Sequence, residues 1–180
     1  MAIDLRWLRL RAVWLLVLPF LWISHPTPRL LLIGLVLASA GLALRAWAAG
    51  VIRKDHELTT TGPYAFTRNP LYLGSLFLGL GTVIAGGDWI FVGVFLAFFT
   101  FVYGRTMKHE EVVLEEAFQD RYRHYAREVP LLVPRLAPYR APGSTGASFS
   151  LARYRGNREW EALLGALAGF TFLTVKMFWM

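Results

Sequence analysis

Apolar residues fall into five long runs separated by short polar breaks: Trp7 to Ile23, Leu30 to Val51, Leu71 to Gly87, Trp89 to Tyr103 and Ala162 to Trp179. Each is near the roughly 17–25 residues that cross a ~30 Å hydrocarbon layer. A segment alone in lipid satisfies its backbone only as a helix. The pattern therefore predicts an all-α fold, a polytopic transmembrane helical bundle of about five spans, built as one membrane domain over residues 1–180. Within it, residues 1–56 carry the N-terminal spans, 57–136 a central region of mixed character, 137–159 a linker and 160–180 the C-terminal span. Arg6 before the first run, together with Arg9 and Arg11 at its beginning, resembles the start of a secretory signal. No small-x-small cleavage pattern follows, and Pro19, Phe20 and Trp22 occupy that region, so a retained span is expected.

The breaks have their own signals. From Arg53 to Pro70 the chain carries Lys-Asp-His-Glu, three threonines, Gly62-Pro63 and Asn69-Pro70, which predict a structured loop. Asn69 before Pro70 predicts an N-cap with proline at the first helical position. Gly74, Gly79 and Gly81 on the following helix suit close approach of a neighbouring helix. Gly86-Gly87-Asp88 leaves room only for a tight turn, so the third and fourth runs are expected to form an antiparallel hairpin. From Lys108 to Arg127 the chain is charged, and Glu111, Glu115, Phe118, Tyr122 and Tyr125 follow one another at helical spacing as a single stripe. Pro130 and Pro134 end that helix, and Ala137 to Ser150, rich in Pro, Gly, Ser and Ala, predicts a linker.

Composition strengthens the membrane reading: 56% of the 180 residues are hydrophobic, more than a soluble core of this size requires. The absence of cysteine excludes a disulfide framework, a thiolate metal site and a cysteine nucleophile. His25, His56, His109 and His124 have no metal-ligand spacing, so no metal site is expected. A net charge of +7 would suggest nucleic acid in a soluble protein, but here the basic residues alternate with the runs. Ten of the 19 lie between Arg105 and Arg158, others at the N-terminus and between Arg45 and Arg68, and none at Gly86-Gly87-Asp88. The positive-inside rule then puts the N-terminus and both basic segments in the cytoplasm, and no nucleic-acid partner is expected.

The same folding pattern gathers candidate chemistry on that face. Arg68, Tyr64, Tyr72 and the helix start at Pro70 come before the hairpin, and Glu110 and Glu111 follow it. A helix N-terminus and its free amides suit a carboxylate, acidic side chains suit an amine or ribose hydroxyls, and tyrosine faces suit a purine or a sulfonium cation. Residue by residue, a plain reading stays open: Pro70 starts a helix, the glutamates are solvated and Arg68 is an interfacial anchor.

Taken together, Gly62-Pro63-Tyr64, Arg68-Asn69-Pro70-Leu71-Tyr72-Leu73-Gly74, Glu110-Glu111, Phe118, Tyr122, Tyr125 and Val129-Pro130 resemble the catalytic half of the isoprenylcysteine carboxyl methyltransferases, shared in looser form with the phospholipid methyltransferases. The resemblance covers residues 57–136. It implies S-adenosylmethionine as cofactor, held by Tyr64, Arg68, Asn69, Pro70, Tyr72, Leu73, Gly74, Glu110 and Glu111. It also implies methyl transfer to a lipophilic or amphiphilic acceptor, a prenylcysteine-like carboxylate or a phospholipid amine. An ionised carboxylate acceptor needs no general base, so positioning carries the reaction, with Arg105 and Arg68 as the cations that would orient it. Two positions depart from the pattern: Asn69 stands where the family usually has histidine, and Gln119 where glycine is common. The alternatives are an NADPH-dependent sterol-type reductase, which shares part of the signature, a catalytically inactive scaffold of the same fold, and a small transporter. Ionisable residues inside several spans would favour a transporter, and the runs are nearly free of them.

Overall fold

The computed structural model of the chain describes residues 17–53, 57–140 and 148–179, and its regular structure is helical throughout. Helix α1 covers residues 17–23. It is followed by α2 (Pro28–Val51), a 3-10 turn (Gly62–Ala65), α3 (Pro70–Ala85) and α4 (Trp89–Phe98). A π-helical turn (Phe99–Tyr103), α5 (Gly104–Glu128), α6 (Leu151–Gly156) and α7 (Trp160–Trp179) complete the chain. Local sequence starts most of these helices. The Thr27 hydroxyl accepts from the Leu30 amide ahead of Pro28, the Asp88 carboxylate accepts from the Ile90 amide at 2.8 Å, and Ser150 accepts from the Arg153 amide. Asn69 departs from its expected capping role. Helix α3 does begin at Pro70, but the Asn69 side chain donates to the Leu131 carbonyl at 3.1 Å instead of capping.

Among the described residues, three helices are long and apolar enough to cross a membrane: Pro28–Val51, the 40 residues Trp89–Glu128, and Trp160–Trp179. Helix α3 is apolar but only 16 residues long. Of the run Trp7 to Ile23, the part before residue 17, with Arg9 and Arg11, lies outside the described residues, as does Arg6. The fourth run and the charged helix after it, expected as separate elements, are one rod. Gly104 to Met107 contain no proline and no turn signal to part them. At 1.5 Å per residue the part before Gln119 is about 45 Å long, half as much again as the hydrocarbon thickness, so its charged end stands outside the layer.

The rod is kinked at Gln119, whose φ of 47° and ψ of −122° lie outside helical space and in a region rare for any residue with a side chain. This is the position where the family resemblance leads one to expect glycine. The kink modifies the expected stripe: Glu115 leaves it to pair with Arg123 at 2.7 Å.

Helices α2 and α3 cross antiparallel through glycine. A side chain at Gly34 would run into the Gly81 carbonyl, and one at Gly41 into the Gly74 carbonyl. The two pairs are two turns apart on each helix, so the backbones meet along one seam, as close packing in lipid favours. Gly79 faces the other way, against the Phe95 ring, and seats the hairpin with α4. At the hairpin end of the bundle the His25 amide donates to the Gly86 carbonyl at 2.7 Å, and Lys176 of α7 donates to the Leu21 and Trp22 carbonyls at the close of α1. Phe20, Ala38, Ala85, Phe170 and Leu173 form the core there.

At the opposite end, the expected linker contains structure. Residues 141–147 lie outside the description, but Ser150 to Asn157 fold over the C-terminus of α2. Asn157 donates to the Ala49 carbonyl at 2.9 Å, while Arg153 and the Ser150 amide donate to that of Gly50. These contacts satisfy carbonyls that the helix end would leave orphaned, and Arg153 brings a positive charge to the negative end of the dipole.

Candidate functional site

The loop after α2 is held by the segment that follows α5. The 3-10 turn Gly62–Ala65 begins at a glycine with φ of +60°, a value that favours glycine there. From the other side, the Arg68 amide donates to the Pro130 carbonyl at 2.9 Å, the Thr67 hydroxyl to that of Leu131 at 3.2 Å, the Arg135 amide to that of Phe66 and the Tyr139 amide to that of Ala65. Residues 130–139 therefore form a strap across 64–69. The two prolines at 130 and 134 were legible as a helix stop, but their partners were not.

Between loop and rod lies a cavity of about 190 Å³. Tyr64, Arg68 and Asn69 line it from the loop, and Glu110, Glu111, Phe118, Tyr122 and Tyr125 from the rod, with Ile52, Leu58, Met107 and Leu114 as apolar wall. On the rod before the kink these residues sit at 107, 111, 114 and 118, a helical spacing of fours and threes, and Tyr122 and Tyr125 follow beyond it. Met107 and Leu114 were missed as wall residues. The same periodicity finds them when the stripe starts at Met107 and passes through Leu114 rather than Glu115.

Arg68 is the polar centre of the cavity. Its guanidinium pairs with Glu111 and donates to the Tyr122 hydroxyl at 3.2 Å, and its side chain is 13% exposed. Its Nε and the hydroxyl of Tyr64 are both buried, and neither has a hydrogen-bond partner among the described residues. A buried donor without a partner costs about 1–3 kcal/mol, and both of these belong to residues that line the cavity. Burial, above all, and then Tyr125 and the carboxylates of Glu159 and Glu110 push the Tyr64 phenol well above the usual tyrosine range, so it stays protonated and able to donate.

The other expected site residues divide. Tyr72 does not line the cavity but donates to Glu110, which does, at 2.6 Å. Pro70 and Leu73 are buried in the α3 packing, and Gly74 is taken up by the seam with α2, where a side chain would meet Gly41 and Arg45. Arg105 lies outside the cavity, exposed, with its guanidinium 4.6 Å above the Phe101 ring. An ion pair unseen in the sequence joins Arg45 of α2 to Glu159 before α7. Both guanidinium nitrogens Nε and Nη2 donate to the carboxylate at 2.9 Å, and Nη1 reaches Ser75. The 114 positions between the partners left no local signal of that pair.

The phospholipid methyltransferase family profile matches residues 29–121, from α2 through the loop and hairpin to the kink. The cobalt-zinc-cadmium resistance protein CzcN of Cupriavidus metallidurans is 36% identical over 124 residues, 66% of this chain and 54% of that protein. The nickel-cobalt-cadmium resistance protein NccN of Alcaligenes xylosoxydans xylosoxydans is 34% identical over 123 residues, 67% of this chain and 55% of its own. The protein-S-isoprenylcysteine O-methyltransferase of Schizosaccharomyces pombe is 31% identical over 98 residues, 54% of this chain and 42% of its own. The chain spans about half the length of the curated relatives it matches. No solved structure matches.

Proposed function

The chain belongs to the phospholipid methyltransferase family, and on that premise we propose that it transfers a methyl group from S-adenosylmethionine to an amphiphilic acceptor at the membrane face, a prenylcysteine-like carboxylate. The observation that carries this reading is that Tyr64 and Arg68, each with a buried donor that has no partner among the described residues, line one cavity together with Glu110. The amino-acid end of the cofactor is a zwitterion. Its carboxylate suits the two donors, its ammonium suits Glu110, and Phe118 and Tyr122 offer aromatic faces for the purine. The cavity's 190 Å³ is below the ~300 Å³ at which ligand pockets begin, so the remainder of the ligand extends along the rim near Arg53, Glu57 and Thr59.

When bound, S-adenosylmethionine supplies an electrophilic methyl group on a sulfonium. The chain's own residues orient and exclude water: Leu58, Met107 and Leu114 line the wall, and Glu111 fixes the Arg68 guanidinium. An acceptor carboxylate entering the cavity meets Arg68; Arg105, on the outward side, serves only an acceptor approaching along the rod. A phospholipid amine is the second reading, favoured by the family's description, and there Glu110 is the base within reach of the cavity. The positive-inside rule puts this face, the N-terminus and the strap in the cytoplasm.

The test is calorimetric titration of S-adenosylmethionine and S-adenosylhomocysteine into detergent-purified protein, beside a Glu110→Gln variant. Binding that weakens in the variant supports the reading and leads to acceptor screens with labelled methyl groups. A folded protein that binds neither compound overturns it, and NADPH is then the ligand to titrate.

A further inference from the structure

The strap over the loop has two sides. Its inner side is occupied: the Pro130 and Leu131 carbonyls accept from Arg68, Thr67 and Asn69, and the Tyr139 ring packs against Tyr125 at 5.6 Å. Its outer side presents Val133, Pro134, Leu136, Ala137 and Pro138, all exposed. Leu136 is fully exposed and Val133 is 74% exposed, although neither belongs to a helix that crosses the membrane. An apolar stretch of this kind, bordered by charge, marks a contact surface.

The fold sets this face at the edge of the hydrocarbon layer. Tyr64 packs with Ala48 and Val51 of the last turn of α2, and a side chain at Gly62 would meet Val51 at 3.2 Å, so the 3-10 turn lies against the end of a membrane-crossing helix. The Tyr139 amide donates to the carbonyl of Ala65, at the close of that turn, and the Arg135 amide to that of Phe66. The strap is thus within a few residues of where α2 ends and α3 begins. Phe149 and Leu151, each about half exposed, stand at the same end, on either side of Ser150, whose amide donates to the Gly50 carbonyl. The charge bordering the strap is positive. Arg127, in the last turn of α5, and Arg140 are exposed. Glu128, the acid between them in sequence, is met by Arg135, which donates to its carbonyl at 2.9 Å and comes within 3.8 Å of its carboxylate.

From this juxtaposition we infer that residues 133–138 dock on the anionic leaflet of the membrane that the chain itself spans. Val133 and Leu136 enter the boundary between headgroups and acyl chains, and Arg127 and Arg140 meet the headgroups of anionic phospholipids. A lipid surface is the occupant because the patch stands level with the end of a membrane-crossing helix and carries arginines at both of its ends. The inference goes beyond the methyl-transfer reading and does not depend on it. Its consequence falls on the loop. The backbone of the strap holds residues 65–69, so docking pins that loop from the lipid side and stiffens the wall of the cavity that Arg68 and Asn69 line.

The test uses the full chain in nanodiscs of phosphatidylcholine alone and of phosphatidylcholine mixed in equal parts with phosphatidylglycerol. The chain has no cysteine, so Leu136→Cys takes a single nitroxide, with Val36→Cys on the lipid-facing side of α2 and Asp120→Cys, 95% exposed on the rod, as references. In the mixed nanodiscs the label at 136 is expected to be reached by oxygen and shielded from a water-soluble nickel chelate, as at 36 and unlike 120. Hydrogen exchange, which needs no label, is expected to slow at the Arg68, Arg135 and Tyr139 amides by about tenfold when phosphatidylglycerol is present, the scale of one or two arginines near an anionic surface. The slowing should disappear in the double variant Val133→Ser with Leu136→Ser and shrink in Arg127→Gln with Arg140→Gln. A label at 136 as open to the chelate as that at 120 overturns the docking. A label shielded from oxygen and chelate alike marks a protein contact and overturns the lipid as occupant. Exchange that is the same in both nanodiscs, or unmoved by the serine pair, overturns the role of anionic lipid in holding the loop.

Discussion

The Tyr125 hydroxyl donates a 2.7 Å hydrogen bond to the Tyr64 carbonyl across 61 positions of sequence, and both tyrosines are buried. This bond fixes the distal half of the rod against the loop, beyond the kink at Gln119, and so closes the cavity at its base. Tyr125→Phe keeps the ring and removes the donor. A loss of about 1–3 kcal/mol of stability is expected, read as a lower Tm in detergent. An unchanged Tm would show that the loop holds without this bond.

Tyr64→Phe separates binding from folding. Its hydroxyl is buried and finds no partner among the described residues, so removing it leaves the unliganded protein as stable or more stable. If the hydroxyl serves a ligand carboxylate, the affinity for S-adenosylmethionine falls by about tenfold, or roughly 1.4 kcal/mol. Calorimetry and thermal unfolding on the same preparation give both values.

The Arg68–Glu111 pair is tested by a double-mutant cycle. Glu111→Gln leaves a largely buried guanidinium short of its counter-charge. The expected cost is about 1–3 kcal/mol, less than for a fully buried pair because the Glu111 side chain keeps 30% exposure. Arg68→Met combined with Glu111→Leu should cost less than the sum of the single changes, since neither leaves the other unpaired. Additivity would show that the two do not couple.

Gln119→Gly relieves backbone strain. A side chain at φ of 47° and ψ of −122° costs of order 1–3 kcal/mol, which the added flexibility of glycine in the unfolded chain offsets in part. A net gain of about 1 kcal/mol is expected in thermal unfolding, and Gln119→Val, β-branched at the same angles, should lose stability.

Alkaline pH should destabilise the fold through Tyr64. Its phenol is raised by burial, so the folded state holds the proton while the unfolded state releases it near pH ~10. The contribution is full below that pH and is lost progressively as pH rises above it. Wild type should unfold on alkaline titration with a burst of tyrosinate absorbance, and Tyr64→Phe should show a shallower loss.

The sequence by itself determined the helical character, the hairpin at Gly86-Gly87-Asp88, the start of α3 at Pro70 and the family. Each of these is written in a local signal: run length, a turn, proline at a first position, or a motif. It also put Arg68, Tyr64, Glu110 and Glu111 on one candidate list. Tertiary structure alone decided which of these meet. Asn69 turns to Leu131 rather than capping its helix, Gly74 serves the α2 seam, Arg105 stands outside the cavity, and Arg45 finds Glu159 across the whole chain. These outcomes depend on contacts between residues far apart in sequence, and the strap 130–139 and the kink at Gln119 depend on them too. A hydrogen bond or a steric limit acts through space, and periodicity reports only which face of one helix a residue occupies.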